Sequence, residues 1–195
     1  MRYIGDIHGD FKYYQKVTST CEKSIQVGDF GIGFVKNPIY DYDVNNHRFI
    51  RGNHDYPEGC YKEPNFIPDG TIEGDTMFMG GAMSIDIPHR TEGVDWWRDE
   101  ECSYSELSRL YEKYVKHKPK IVVTHDCPEF VSTIMCNEVN FVKFDLKSIT
   151  RNAYQNMWEE HKPDLWIFGH WHLDFRKEIF GTEFVCVNCL KYLDI

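Results

Sequence analysis

Positive charge, long apolar runs and repetition are what this sequence lacks. Lysine and arginine number 22 against 31 aspartates and glutamates, giving a formal net charge of −9 and a pI near 5.4. Such a surface repels phosphate backbones and disfavours general nucleic-acid binding. A phosphorylated small molecule or phosphoprotein stays open as substrate, because a bound cation inverts the local potential. No apolar run approaches the roughly 18 residues of a membrane span. The opening MRYIGDIHGD carries no apolar leader segment. The expectation is a cytoplasmic chain with no membrane partner. The 7 cysteines are odd in number and scattered, which argues against a disulfide framework and fits a reducing compartment. Cys186 and Cys189 form a lone C-x-x-C. Without a second pair it is a weak zinc signal, and two partly buried thiols in a terminal strand is the plainer reading. Repeats, low-complexity tracts and linkers are absent, so residues 1–195 are expected to form a single domain. The 42% of hydrophobic residues, with 15% aromatic, is enough for a core.

What is present is a recurring pattern. Short apolar runs end in small or polar residues: RYIG before DIHGD, SIQVG before DFG, HRFIRG before NHD, KIVVT before HDCP, DLWIFG before HWH. Each run is rich in β-branched and aromatic residues and reads as a buried strand. Helical periodicity lies between them. Residues 103–118 put Leu107, Leu110, Tyr111, Tyr114 and Val115 on one face, with Ser103 or Ser105 as cap. Residues 146–161 do the same with Leu146, Ile149, Ala153 and Met157, with Asp145 as cap. Residues 10–20 form a weaker helix. Two strand pairs are expected around 64–86 and in the terminal KEIFGTEFVCVNCLKYL. Alternating strands and helices make an α/β domain, in which loops at the strand carboxyl ends gather the ligands. The long stretch IPHRTEGVDWWRDEEC is a functional-loop candidate. Its Trp96 and Trp97 either cover core or interface, or stack on a nucleobase.

The polar clusters after those five strands hold Asp6 and His8, then Asp29, then Asn53 and His54, then His125, then His170 and His172. Five of the 9 histidines fall there. Carboxylates, imidazoles and one amide suit borderline divalent cations such as Mn²⁺, Fe²⁺, Zn²⁺ or Ni²⁺, and do not suit Ca²⁺. Seven ligands exceed one tetrahedral ion and match two ions sharing a carboxylate, the usual device for attack on phosphorus esters. His54 is placed to donate a proton to a leaving group, with Asp55 orienting its ring and keeping it protonated.

In order, GDIHG, GDFG, GNHD, VVTHD and GHWH resemble the motifs of calcineurin-like metallophosphoesterases over residues 5 to 172. That superfamily includes protein Ser/Thr phosphatases, nucleases and cyclic-nucleotide phosphodiesterases. The resemblance implies an α/β (α+β) fold of two packed mixed β-sheets flanked by helices. It implies one cation on Asp6, His8, Asp29 and His172 and a second on Asp29, Asn53, His125 and His170, with Asp29 bridging. It makes His54 the catalytic histidine, with Asp55 behind it. MGGAMSIDIPHRTEGVDWW is similar to a segment of small bacterial and phage metallophosphoesterases. There Arg90 matches a family arginine, whereas Ile87 and Asp95 stand where another arginine and a serine are usual. GDFGIGF lacks the arginine of the protein-phosphatase G-D-x-x-D-R-G, and Asp55 replaces that branch's usual glutamate. Arg51 and Arg90 are the remaining phosphate-binding candidates, with a structural ion pair as the other reading of Arg51. The expected activity is hydrolysis of phosphate esters by a hydroxide shared between two divalent cations, Mn²⁺ foremost. The expected substrate is a small phosphomonoester, a nucleotide or a phosphoprotein. The alternatives are a phosphodiesterase acting on cyclic nucleotides or short nucleic acid, and a non-catalytic metal-binding scaffold.

Overall fold

Apolar segments of three to five residues cannot bury themselves alone, and here they collect into two sheets. In the computed structural model, residues 1–33, 35, 42–139 and 147–195 are described. The first half of the chain runs β1 (Arg2–Ile4), α1 (Phe11–Thr18), β2 (Ser24–Gln26), β3 (His47–Phe49), α2 (Pro57–Cys60), β4 (Thr71–Glu73) and β5 (Thr76–Met79). A short 3₁₀ turn at Ile87–His89 follows. Then come α3 (Tyr104–His117), β6 (Ile121–Thr124), α4 (Glu129–Glu138), α5 (Ile149–Glu160), β7 (Leu165–Phe168), β8 (Phe175–Ile179), β9 (Thr182–Cys186) and β10 (Tyr192–Asp194). One sheet has the order β10-β1-β2-β3 and the other β4-β5-β6-β7-β9-β8.

Both sheets are mixed. β1, β2 and β3 pair in parallel, as do β5, β6, β7 and β9, while β10, β4 and β8 join antiparallel at the sheet edges. An apolar cluster including Tyr3, Ile25, Ile50, Val123, Ile167 and Val185 draws on strands and strand ends of both sheets. A second packs α3, α4 and α5 on the larger sheet through Leu110, Tyr114, Met135, Met157 and Trp166. A third seats α1 on the smaller sheet through Ile4, Tyr14, Val17 and Phe49. The result is the expected pair of mixed sheets flanked by helices.

The helix ends follow local chemistry. Ser103 accepts from the Glu106 N–H while Glu106 reaches back to the Ser103 N–H, closing a capping box on α3. Asp10 caps α1 by accepting from the Tyr13 N–H. For α5, Ser148 is the cap, its hydroxyl accepting from the Arg151 N–H at 3.1 Å. The expected cap Asp145, with Leu146, lies outside the described residues. The α5 face is also rotated from expectation. Thr150, Arg151, Tyr154, Met157 and Trp158 are buried, while Ile149 and Ala153 pack at the margin. Helix α4 was not anticipated, because its buried set, Val131, Ser132, Met135 and Cys136, includes a serine and dilutes the apolar period. The terminal segment also differs. β8 and β9 make the expected hairpin, but the chain then turns through Leu190 (φ 52°) and crosses to the other sheet as β10.

Candidate metal centre

Parallel strands align their carboxyl ends, so the loops that follow them share one rim. Asp6 and His8 leave β1, Asp29 leaves β2, Asn53 leaves β3, His125 leaves β6, and His170 and His172 leave β7. Backbone hydrogen bonds tie these loops together: the His8 N–H donates to Asp29 O at 2.8 Å and the Gly169 N–H to His125 O at 3.0 Å. Four of the donor residues, His8, Asp29, His170 and His172, hold positive φ values of 44°, 57°, 67° and 51°. Left-handed backbone is uncommon outside glycine and clusters where surrounding structure enforces it, often at functional sites. At Gly52 a side chain is impossible: a Cβ there would stand 2.0 Å from Asp29 Oδ1. The glycine of GNHD therefore lets the Asp29 carboxylate reach the loop that carries Asn53.

Asp29 lies between two groups of donors. On one side its Oδ2 is 3.8 Å from His8 Nδ1; His8 Nε2 and His172 Nε2 are 3.0 Å apart, and His172 Nε2 is 3.0 Å from Asp6 Oδ2. On the other side Asp29 Oδ1 is 3.3 Å from His125 Nε2, and Asn53 Oδ1 is 3.0 Å from both His125 Nε2 and His170 Nδ1. Asp6, Asp29, Asn53 and His125 are buried. Borderline divalent cations fit this set of imidazoles, carboxylates and one amide oxygen.

The electrostatics are those of a site short of positive charge. Burial opposes ionisation of Asp29, yet His125, His54 and His8 hold its carboxyl well below the usual range. Burial lowers His125, but Asp29 and Asp6 outweigh it and raise the imidazole to about 10. A proton there supplies charge that a cation would otherwise bring. His125 Nδ1 is 2.8 Å from Val27 O, which turns Nε2 toward the centre. Burial pushes His170 down to about 4, leaving it a neutral imidazole.

His54 lies beside this centre. Its backbone N–H donates to Asp29 Oδ1 at 2.9 Å, and its ring Nε2 is 3.4 Å from Arg90 Nη2. Burial lowers its pKa, and the Arg90 charge adds to that while Asp29 opposes it. The role expected of Asp55 is corrected. Its carboxylate accepts from the backbone N–H groups of Phe30, Gly31, Ile32 and Gly52, at 2.7–3.0 Å. Those four donors use its oxygens to join the Asp29 loop to the Asn53 loop, so Asp55 orients backbone rather than the His54 ring.

Arg51 fits the second of its two readings, the structural one. It is 4% exposed, and its guanidinium donates to Asp69, to the carbonyls of Asp99 and Glu100, and to Cys102 Sγ. Those partners take it into the structural reading and away from phosphate. Arg90 does reach the rim, where Asp86 holds its Nη2 at 2.6 Å. Trp97 is buried and stacks on Tyr56 with ring centroids 5.6 Å apart, which is core cover.

Two supporting residues escaped sequence reasoning. Asn53 Nδ2 donates to Ser84 Oγ at 2.9 Å, and Ser84 donates in turn to buried Glu100 at 2.6 Å. This chain fixes which way the Asn53 amide faces and leaves Oδ1 toward the imidazoles. Ser84 sits in the GGAMSID segment already singled out; Glu100 sits in a charged run with no signal of its own.

Convergent carboxylates, imidazoles and an amide at the strand ends of paired mixed sheets define a metal-dependent hydrolase class. The sequence matches the family model for calcineurin-like phosphoesterases over residues 3–174, and the chain belongs to that family. Phosphoester hydrolysis is the reaction of that family, and divalent metals are its usual cofactors. No curated protein sequence matches the chain. Among solved structures, the Thermus thermophilus protein TT1561 is similar in fold, with a TM-score of 0.54 and 12% identity over 97% of this chain and 88% of that one. A Staphylococcus aureus protein named "Putative 5'-Nucleotidase", solved in complex with alpha-ketoglutarate, has a TM-score of 0.54 and 13% identity over 97% of this chain. The match spans 48% of that second, longer chain. No helix among the described residues is long and apolar enough to cross a membrane.

Proposed function

We infer that residues 1–195 act as one domain that hydrolyses phosphate monoesters of small molecules, nucleotides among them, with two divalent cations, Mn²⁺ foremost, in the cytoplasm. The observation that carries this reading is the division of six donors about Asp29. Asp6, His8 and His172 would hold one cation, Asn53, His125 and His170 the other, and Asp29 both. When bound, such a pair lowers the pKa of water and neutralises charge on phosphoryl oxygens. The chain's own residues do the rest. Asn53 adds an oxygen without adding negative charge. Arg90, whose Nη2 is near His54, would bind a phosphoryl oxygen and orient the ester. His54 would face the leaving group and give it a proton. Protein phosphatase chemistry has less support, because Arg51 is engaged in the interior and GDFGIGF offers no arginine in its place. The name of the S. aureus neighbour is in keeping with a nucleotide substrate.

The test is a rate assay on metal-stripped protein with p-nitrophenyl phosphate and bis-p-nitrophenyl phosphate, each with and without Mn²⁺. Mn²⁺-restored turnover of the monoester is expected. Restoration on the diester alone would make the protein a phosphodiesterase. Two bound cations with neither substrate turned over would count against the monoesterase reading.

A further inference from the structure

The two cysteines of the C-x-x-C part company in the fold. Cys186 ends β9, buried, with its Sγ 3.5 Å from Gly169 O. Cys189 is half-buried and lies where the chain crosses from one sheet to the other. Its Sγ and one ring nitrogen each of His8 and His172 all lie within 4.8 Å of one another. A second set, Asp6, His8 and Asp29, satisfies the same spacing and shares His8. The two sets meet at His8, so the thiol lies beside the buried carboxylates Asp6 and Asp29.

The position of Cys189 is built rather than incidental. The Leu190 N–H donates to Asp6 O, and the Gly5 N–H donates to Lys191 O, both at 3.0 Å. The Asn188 carbonyl presses so closely on Gly5 that a Cβ there would stand 2.1 Å from its oxygen. The segment on either side of Cys189 is thus clamped to the strand end that delivers Asp6 and His8.

We propose that Cys189 is a thiolate ligand of the cation held by His8 and His172, and that it gives this position a preference for thiophilic divalent cations such as Zn²⁺ over Mn²⁺. The inference rests on the two-cation reading above and adds a ligand to it. A sulfur ligand beside imidazoles favours softer cations, whereas carboxylates and water suit Mn²⁺. On binding, the S–H bond breaks, a sulfur–metal bond forms and the proton leaves to solvent. No oxidant or reductant is needed.

The experiment adds Co²⁺ to metal-free full-length protein without oxygen and reads absorbance and metal content together. The expected result is two Co²⁺ per chain with a thiolate-to-cobalt charge-transfer band in the near ultraviolet. Cys189→Ser abolishes that band and keeps the visible cobalt bands, while Cys186→Ser keeps both. Two bound Co²⁺ without the ultraviolet band, or a band that survives Cys189→Ser, overturns the proposal and leaves the two-cation reading standing. Failure to bind Co²⁺ overturns both. A second measurement needs no variant. Zn²⁺ should protect Cys189 of the native chain from iodoacetamide at lower concentration than Mn²⁺ does, read by peptide mass. Equal labelling with and without Zn²⁺ overturns the proposal.

Discussion

Asp29 is the residue on which most of the site depends. Its left-handed backbone, its approach to Gly52 and its place between two donor groups all belong to one carboxylate. Asp29→Asn keeps the shape and removes the charge, and is expected to lower bound divalent metal from two per chain to one or fewer, measured by elemental analysis. Unchanged content would remove the bridging role. His54→Ala should keep both metals and lose about 10²–10⁴ in rate, the range for a positioned proton donor. The two arginines should behave oppositely. Arg51→Ala leaves half-buried Asp69 and the carbonyls of Asp99 and Glu100 without their buried partner and should cost about 3–5 kcal/mol of stability by denaturant titration. Arg90→Ala should raise KM while the melting temperature stays nearly constant. An equal loss of stability in both would undo that contrast.

At the scale of elements, the loop after β5 reaches the centre through Ser84 and Glu100 rather than through a ligand of its own. Ser84→Ala should weaken metal affinity by about 10–100-fold, the usual effect of losing a partner that orients a ligand. Titration calorimetry on metal-stripped protein would measure it, and unchanged affinity would show that Asn53 needs no such support. Glu100 also makes a pH prediction. Burial raises its pKa above the ordinary 4.5. A raised folded pKa means that stability fully present below pH 4.5 is lost as pH rises through the folded value. Glu100→Gln removes that dependence. Its melting temperature relative to the native chain should therefore improve on going from pH 4.5 toward neutrality. A constant difference would show that Glu100 does not titrate differently in the two states.

For the whole molecule, the site joins loops from both sheets, so cations bound there would cross-brace the fold. Chelation should lower the melting temperature, because a ligand that binds only the folded state at about 100 times its Kd adds about 2.7 kcal/mol. Calorimetry with and without chelator measures this, and an unchanged melting temperature would mean that no cation braces the two sheets. The sequence by itself determined the strands and their order of use, since RYIG, SIQVG, HRFIRG, KIVVT and DLWIFG are too short and apolar to be stable except as buried strands. It also determined which residue types follow each strand, and so the candidate ligands, because those are local facts. Only the tertiary structure decided what each of those residues touches. Asp55 and His54 are neighbours in sequence, yet the Asp55 carboxylate serves the Asp29 loop, because strand pairing brings the N–H groups of Phe30, Gly31 and Ile32 to it. Arg51 adjoins the GNHD motif, yet it points at Asp69. Cys189 follows Cys186 by three residues, yet its neighbours are His8 and His172. In each case the partner lies on another strand or loop, and only the pairing of strands within and between sheets fixes that distance.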